Sequence, residues 1–251
     1  MKKRTTASSR NTKPDVSIVI PAFNEEQHIK ACLNSILKQK TSYSFEIIVC
    51  DNNSTDKTAA IVQSYKKTTH PVRLIKEKKK GAAAARAAGF EAAKAPIIFS
   101  TDGDTIVPEN WIESFMPHFS KRTVIAVTSP CQIDHPSDWN RTVFYYLQLS
   151  SMYLHRLLRG YIWISGYSYA VRKDVYNKAG KINTNIGAMD DFELSSRIHN
   201  YGKIIFLNQV QVLSSHRRYR DDVIFGLFSY PRAFIKMKVL GRDSVSLKDI
   251  R

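Results

Sequence analysis

The chain has 251 residues, of which 43% are hydrophobic, and it carries a net charge of +16 at pH 7. This size favours one α/β domain with decorations over two full domains. Three widely spaced cysteines argue against a disulfide framework, and neither a transmembrane helix nor an ordinary signal peptide is expected from the apolar runs.

Strand-like and helix-like patterns alternate regularly in the first half of the chain. Apolar runs that end at polar residues or proline predict strands at 16–21, 45–50, 72–75, 97–99 and 124–128. Periodic apolar positions and capping residues predict helices after Asn24 through 37, from 55 or 56 through 65, over 81–95 and from Pro108 through 119. The alternation predicts an α/β fold, in which a mostly parallel central sheet has helices on both faces.

The second half is less regular. Its patterns predict a helix over 142–158, a strand-like segment over 162–171, a helix over 190–200 and short strands at 203–206 and 210–213. Residues 1–14 are predicted to be a disordered basic tail, and 221–251 an amphipathic basic tail in which 223–240 mixes apolar and basic residues. Between them we expect one domain with two halves, 15–130 and 131–220.

Polar clusters follow three of the predicted strands, at 21–24, 51–54 and 102–104. Ligands of such sheets bind beyond the carboxyl ends of the strands, so the clusters are expected to converge on one binding edge. Each cluster alone is also compatible with an ordinary polar loop.

The third cluster contains two carboxylates, Asp102 and Asp104, on either side of Gly103. On an extended segment the two side chains point the same way, and Gly103 allows a ligand or the backbone to approach closely. Like charges this close repel unless a positive group lies between or beyond them, and a divalent cation that bridges to phosphate is the simplest such group. A solvated Asp-Gly turn is the alternative.

Four motifs, in order, resemble the family 2 glycosyltransferases, which have the GT-A fold. They are VIPAFNEE at 19–26, IIVCDNNSTDKT at 47–58, TDGD at 101–104 and DDFEL at 190–194. The resemblance covers residues 16–216 and implies a Rossmann-like GT-A domain whose first half binds a nucleotide sugar and whose second half binds the acceptor. The chain departs from the family pattern at Asp190, where Glu is usual, and at Ala87, where Asn is frequent.

The resemblance also implies roles for individual residues. Asp191 is implied to be the catalytic base, and Asp104 and His216 the metal ligands, with Mn²⁺ or Mg²⁺ as cofactor. The implied donor-binding residues are Pro21, Ala22, Asn24, Glu25, Asp51, Asn53, Arg86, Asp102 and Gly103. Trp163, Gly166 and Asp190 are implied to lie on the acceptor side or at the start of the catalytic helix.

Several of these residues have plainer alternatives. Arg86 either reaches phosphate or orients Asp102, or it is a solvated arginine on an alanine-rich helix. His216 is a metal ligand or diphosphate clamp, or a surface histidine. Trp163 stacks on a sugar or packs in the core.

The acidic motif at 190–194 also has a local interpretation. Asp190 and Glu193 have the spacing of a capping box, so Asp190 is expected to cap its helix. Asp191 then lies in the first turn, where the helix dipole favours the ionised carboxylate, and it can serve as a general base.

The resemblance implies an inverting, metal-dependent transferase that moves a sugar from a nucleotide-diphosphate donor to a saccharide or lipid-linked acceptor, as in polysaccharide biosynthesis. A UDP-sugar is favoured, because the Asp51 carboxylate can accept a hydrogen bond from a uracil N–H. One alternative is a basic protein on an inactive GT-A scaffold that binds nucleic acid or membrane. The other is a nucleotidyltransferase, which also needs paired carboxylates and a metal.

The positive charge is compatible with nucleic acid, an anionic membrane surface or phosphorylated small molecules as partners. The intact carboxylates disfavour nucleic acid. The cysteine content fits a reducing compartment, so we expect a cytoplasmic protein, with peripheral contact at the inner face of the membrane as an added possibility.

Overall fold

The computed structural model describes residues 13–68, 70–186 and 189–219. The predicted tail over 1–14 therefore lies outside the described residues apart from its last two, and the predicted tail over 221–251 lies outside them entirely. Within these ranges, every helix is too short or too polar to cross a membrane.

The predicted helices and strands occur in the order predicted, and three short elements at 105–106, 131–133 and 173–178 are additional to them. The strands are β1 Val16–Ala22, β2 Phe45–Asp51, β3 Val72–Lys76, β4 Ile97–Ser100, β5 Thr105–Ile106, β6 Val124–Thr128, β7 Cys131–Ile133, β8 Tyr169–Arg172, β9 Lys203–Phe206 and β10 Val212–Ser214. The helices are α1 Ile29–Leu37, α2 Thr58–Ser64, α3 Ala82–Ala92, α4 Trp111–Phe115, α5 Asp138–Arg159, α6 Lys173–Lys178 and α7 Asp190–Ile198.

Seven strands form the central sheet in the order β3-β2-β1-β4-β8-β6-β9. Among the described strands of this sheet, β8 alone runs antiparallel to its neighbours, and the other pairings are parallel. This confirms the predicted mostly parallel α/β sheet. The predicted strand over 162–171 is too long, because only its end pairs with the sheet and residues 165–168 form a tight turn.

The core lies on both faces of the sheet, as predicted. Along β1, Ile18 and Ile20 pack with α1 and α4 on one face, whereas Val19 packs with α3 and α7 on the other. This alternation follows from the two-residue period of a strand. Gly89 of α3 shows how close the packing is, since a Cβ there would lie 2.3 Å from Val19 Cγ1.

Helices α4 and α5 differ in extent from their predictions. The helix predicted from Pro108 through 119 is a short α4 followed by a 3-10 turn over Met116–Ser120. Pro117 causes the break, because it has no N–H to continue the α-helical hydrogen bonds. Helix α5 begins before the predicted position, at Asp138, where the Ser137 hydroxyl accepts from Asn140 N.

A second sheet of three strands, in the order β5-β10-β7, lies beside the carboxyl end of β4. Strand β10 pairs with β5, so the chain that follows β10 returns to the acidic loop that precedes β5. Ser215 N donates to the Asp104 carbonyl at 3.3 Å. This contact positions residues 216 and 217 for the candidate site.

Candidate active site

Hydrogen bonds join the ends of β1 and β2 into one polar edge. Asn52 N donates to the Ala22 carbonyl at 2.8 Å, and Asn24 Oδ1 accepts from Thr55 N at 2.9 Å. Asn24 has φ 52°, so it turns the chain instead of beginning a helix. The prediction that Asn24 caps α1 is wrong, because its side-chain oxygen is already bound by the neighbouring loop.

Asp51 is buried at the end of β2, where its Oδ1 accepts from Ser54 N at 3.3 Å. The amides of Asn52 and Asn53 donate to backbone carbonyls of the segment 77–81 and hold it against this edge. Asn52 was not among the predicted site residues. The Asn-Asn pair after a strand was its only signal in the sequence, and the contacts with 77–81 are not local.

Arg86 is the buried centre of the site, with 3% of its surface exposed. Its guanidinium donates to Asp102 Oδ1 at 2.7 Å and to Asp190 Oδ2 at 2.5 Å, and its Nε donates to Ser100 Oγ at 3.2 Å. The predicted contact between Arg86 and Asp102 is present, and the alternative of a solvated arginine is wrong. Arg86 thus joins the end of β4 to the start of α7.

Asp191 lies beside this pair at the start of α7. Its Oδ2 accepts from Gly166 N at 2.6 Å, and its Oδ1 accepts from Phe192 N at 2.8 Å. Burial, followed by the neighbouring Asp190 carboxylate, raises the pKa of Asp191 to about 6. A Cβ on Gly166 would lie 3.3 Å from Asp191 Oδ2 and 3.0 Å from Arg86, so the glycine permits this close approach.

The capping-box prediction for this helix is wrong. The Asp190 carboxylate binds Arg86, and Glu193 pairs with Arg197 at 2.7 Å one turn further along α7. The residue before the helix, Met189, has φ 64°. An ion pair with a buried guanidinium outweighs the hydrogen bond that a cap would provide, so tertiary structure overrides the local pattern.

The two acidic residues after β4 bind different arginines. Strand β4 ends at Ser100, and Asp102 and Asp104 lie in a turn in which Thr105 N donates to the Asp102 carbonyl at 3.2 Å. The expectation that both side chains point the same way along an extended segment is therefore wrong. Asp102 binds Arg86, whereas Asp104 Oδ2 accepts from Arg217 at 2.6 Å.

Arg217 is a site residue that was not predicted. It donates to Asp104 and also to both carboxylate oxygens of Glu25, at 3.0 and 2.9 Å. Glu25 is buried and precedes α1, so the prediction that it lies in the first turn of that helix is wrong. The Arg217 contacts join residues far apart in the chain, and the sequence indicates only the positive charge there.

The remaining predicted donor residues lie against this cluster. Pro21 and Ala22 end β1 in the buried sheet. A Cβ on Gly103 would lie 3.1 Å from Glu25 Cγ and 3.5 Å from the Pro21 carbonyl. The close approach expected at Gly103 is thus made by the protein's own chain.

The two other predicted residues, His216 and Trp163, contact side chains outside the Arg86 and Arg217 clusters. The His216 ring contacts Asp134 Oδ1 at 2.8 Å, and its role as a metal ligand stays a prediction. Trp163 packs against His155 and Phe192, with ring centroids 5.0 and 5.7 Å away. Across the described residues, no three His, Cys, Asp or Glu side chains come together as a ready-made cation site.

Comparison with known proteins supports the resemblance. The family model described as Glycosyl transferase family 2 matches residues 17–186. Glycosyltransferase AglE of Haloferax volcanii is 31% identical over 129 residues, which cover 51% of this chain and 42% of AglE. Glycosyltransferase GlyG of Streptococcus pneumoniae is 38% identical over 100 residues, which cover 39% of this chain and 33% of GlyG. The matched part therefore spans less than half of either relative.

Solved structures share the fold. The mannosyltransferase PcManGT from Pyrobaculum calidifontis, in complex with GDP-Man and Mn²⁺, aligns with a TM-score of 0.64 and 22% identity over 92% of this chain and 68% of its own. S. aureus TarS in complex with UDP-GlcNAc aligns with a TM-score of 0.62 and 16% identity over 80% of this chain and 58% of its own. Since the family model matches more than half of the residues, this chain belongs to glycosyl transferase family 2 and has the GT-A fold.

Proposed function

We propose that this protein transfers a sugar, with inversion, from a nucleotide-diphosphate donor to a hydroxyl of a saccharide or lipid-linked acceptor. The observation that carries the proposal is the position of Asp191 beside the ion pair between Arg86 and Asp102. A carboxylate of raised pKa therefore lies next to the charged end of the sheet. The donors bound by PcManGT and TarS support the same class of substrate.

The proposed reaction is an in-line displacement. The acceptor hydroxyl oxygen forms a bond to the anomeric carbon, and the bond from that carbon to the diphosphate oxygen breaks. Asp191 takes the hydroxyl proton, and the bonding electron pair leaves with the nucleoside diphosphate. The Gly166 N–H holds Asp191 Oδ2 in position for this transfer.

Asp104 fits a divalent cation. It uses one carboxylate oxygen for Arg217, and carboxylate oxygens are the ligands that Mg²⁺ and Mn²⁺ prefer. Asp102, which binds Arg86, is assigned to the ribose side of the donor or to a metal-bound water. A bound cation would supply Lewis-acid stabilisation of the departing diphosphate. Arg217 holds the compensating positive charge at Asp104, and we propose that its guanidinium also binds the departing diphosphate. PcManGT was solved with Mn²⁺, which supports this assignment; the choice between Mn²⁺ and Mg²⁺ stays open.

The proposed arrangement assigns the donor to 15–130 and the acceptor to 131–220. Trp163 and Gly166, beside Asp191, are proposed to face the acceptor. A lipid-linked acceptor would place the protein at the inner face of a membrane. The amphipathic basic segment predicted over 223–240 lies outside the residues that the structure describes.

The rate is expected to depend on the protonation of Asp191. Only the ionised carboxylate accepts a proton, so kcat/KM should fall as the pH drops through about 6, with a slope of about tenfold per pH unit below it. Asp190→Asn removes a negative charge next to Asp191 and should therefore move this fall in kcat/KM to lower pH. Initial rates between pH 4.5 and 8 measure both effects, and a profile that stays flat below pH 6 would remove Asp191 from the role of base.

We expect UDP to bind more tightly than GDP. Asp51 is buried at the end of β2, where a carboxylate oxygen can accept from the N–H of uracil. Titration calorimetry of the two nucleotides with Mn²⁺ measures the difference, and Asp51→Asn should reduce it. Tighter binding of GDP would reverse the assignment, and PcManGT shows that a protein of this fold accepts GDP-Man.

A thermal-shift screen of nucleotide sugars with and without Mn²⁺ tests the proposal as a whole. A ligand that binds only the folded state raises the melting temperature. We expect at least one nucleotide sugar to stabilise the protein in a cation-dependent way. If polynucleotides stabilise it and no nucleotide sugar does, the alternative of a binding protein on this fold is favoured.

A further inference from the structure

Helix α5 has an apolar face that the rest of the described fold leaves exposed. Its inner face packs into the core through Phe144, Gln148 and Met152, which recur every four residues. The other side carries large apolar side chains with 44% to 81% of their surface exposed. They are Trp139, Tyr146, Leu147, Tyr153, Leu154, Leu157 and Leu158. We call these seven residues the outer face of α5.

The outer face is unusual for a helix on a globular domain. Such a helix normally has polar residues opposite its core-facing stripe. The seven residues extend along 139–158, and α5 has 22 residues, so the patch is about 30 Å long at 1.5 Å per residue. An exposed helix face with this many large apolar side chains indicates an interaction site.

The composition of the outer face matches a lipid surface. Arg156 is exposed in the last turns of α5 and lies about 100° around the helix from Leu157, at the border of the outer face. Helices that lie in the plane of a membrane combine tryptophan and leucine on one side with arginine or lysine at its border. The whole chain carries a net charge of +16, which favours an anionic surface.

The position of α5 connects this surface to the candidate site. His155, on the inner side of its last turns, packs against Trp163 and Phe192 at 5.0 and 5.3 Å between ring centroids. Phe192 directly follows Asp191 in α7. One layer of aromatic rings therefore separates the end of α5 from the proposed base.

We propose that the outer face of α5 docks on an anionic lipid surface, with Leu154, Leu157 and Leu158 in the interface and Arg156 at the headgroups. The docked protein presents the acceptor side of its site to molecules carried by the membrane. This use of the surface rests on the proposed function. Docking itself can be measured without turnover, so a failure of docking can be distinguished from a failure of the proposed function.

Tryptophan fluorescence with full-length protein tests the surface directly. The chain has three tryptophans; Trp111 is buried, Trp163 lies in the aromatic cluster, and 220–251 contains none. Vesicles of phosphatidylcholine and phosphatidylglycerol that contain brominated lipid should quench Trp139, and Trp139→Phe should lose the quenched component. Binding to the vesicles without quenching of Trp139 would assign the contact to another surface, such as 223–240, and overturn the proposal.

A charge-insertion pair supplies the second test. Leu157→Glu combined with Leu158→Glu should weaken co-sedimentation with anionic vesicles by more than about tenfold, since the variant lacks two leucines that docking would bury in the lipid. Leu213→Glu is the matched control, because Leu213 is also exposed but alternates to the side of β10 opposite the core residue Val212. Unchanged binding by the double variant would contradict the proposal. The proposal would also be contradicted if sedimentation showed the wild type to be a dimer and the double variant a monomer, while neither protein bound vesicles.

Discussion

Replacement of Asp191 by Asn is expected to lower turnover about 10²- to 10⁴-fold, the usual cost of losing a general base. The variant keeps the size of the side chain, and its amide oxygen can still accept from Gly166 N, but it cannot take a proton. Nucleotide affinity should stay nearly unchanged, because Asp191 is proposed to face the acceptor hydroxyl. Steady-state rates and calorimetry of nucleotide binding on the same preparation separate the two quantities.

Glu193→Gln is the matched control for this experiment. It makes the same chemical change in the same helix, but Glu193 pairs with Arg197 away from the cluster around Arg86. We expect its turnover to remain close to that of the wild type. Asp190→Asn is a poorer control, since it leaves the buried Arg86 with one carboxylate fewer. Normal turnover of Asp191→Asn would place the base elsewhere.

Replacement of Asp104 by Ala is expected to abolish cation-supported turnover while the protein stays folded. The loss should exceed about a hundredfold, because a bound cation contributes several kcal/mol to stabilising charge in the transition state. The variant should also lose Mn²⁺ binding by calorimetry, a measurement independent of turnover. Circular dichroism establishes that the variant is folded.

Glu109→Gln is a suitable comparison, because Glu109 is an exposed carboxylate that pairs with Lys40 on the surface. It should bind Mn²⁺ like the wild type. Full turnover of the wild type in excess EDTA would contradict the metal assignment, whatever the variants do.

Local sequence patterns were sufficient for the parallel strands of the first half of the chain but not for the charged cluster. The apolar runs of β1, β2 and β4, each followed by polar residues, predicted strands whose ends converge, and the structure joins these ends by hydrogen bonds. Two capping predictions, at Asn24 and Asp190, were wrong. In both places a partner distant in sequence binds the side chain that a local pattern assigned to a helix end.

Arg217 shows why the rest could not be predicted. It reaches Asp104 only because β10 pairs with β5, and it reaches Glu25 across nearly the whole chain. Periodicity and spacing carry no information about such contacts. The outer face of α5 could not be predicted for the same reason, since the sequence predicts an apolar helix but not which of its sides the core covers.

The measurement that tests the central claim most directly is the identity of the leaving group. The protein would be incubated with UDP-, GDP- and other nucleotide sugars, Mn²⁺ and an extract of saccharide and lipid-linked acceptors, with Asp191→Asn as the blank. The account predicts free nucleoside diphosphate, formed in amounts equal to the transferred sugar and absent from the blank. Release of pyrophosphate, or nucleoside diphosphate formed equally by Asp191→Asn, would contradict it.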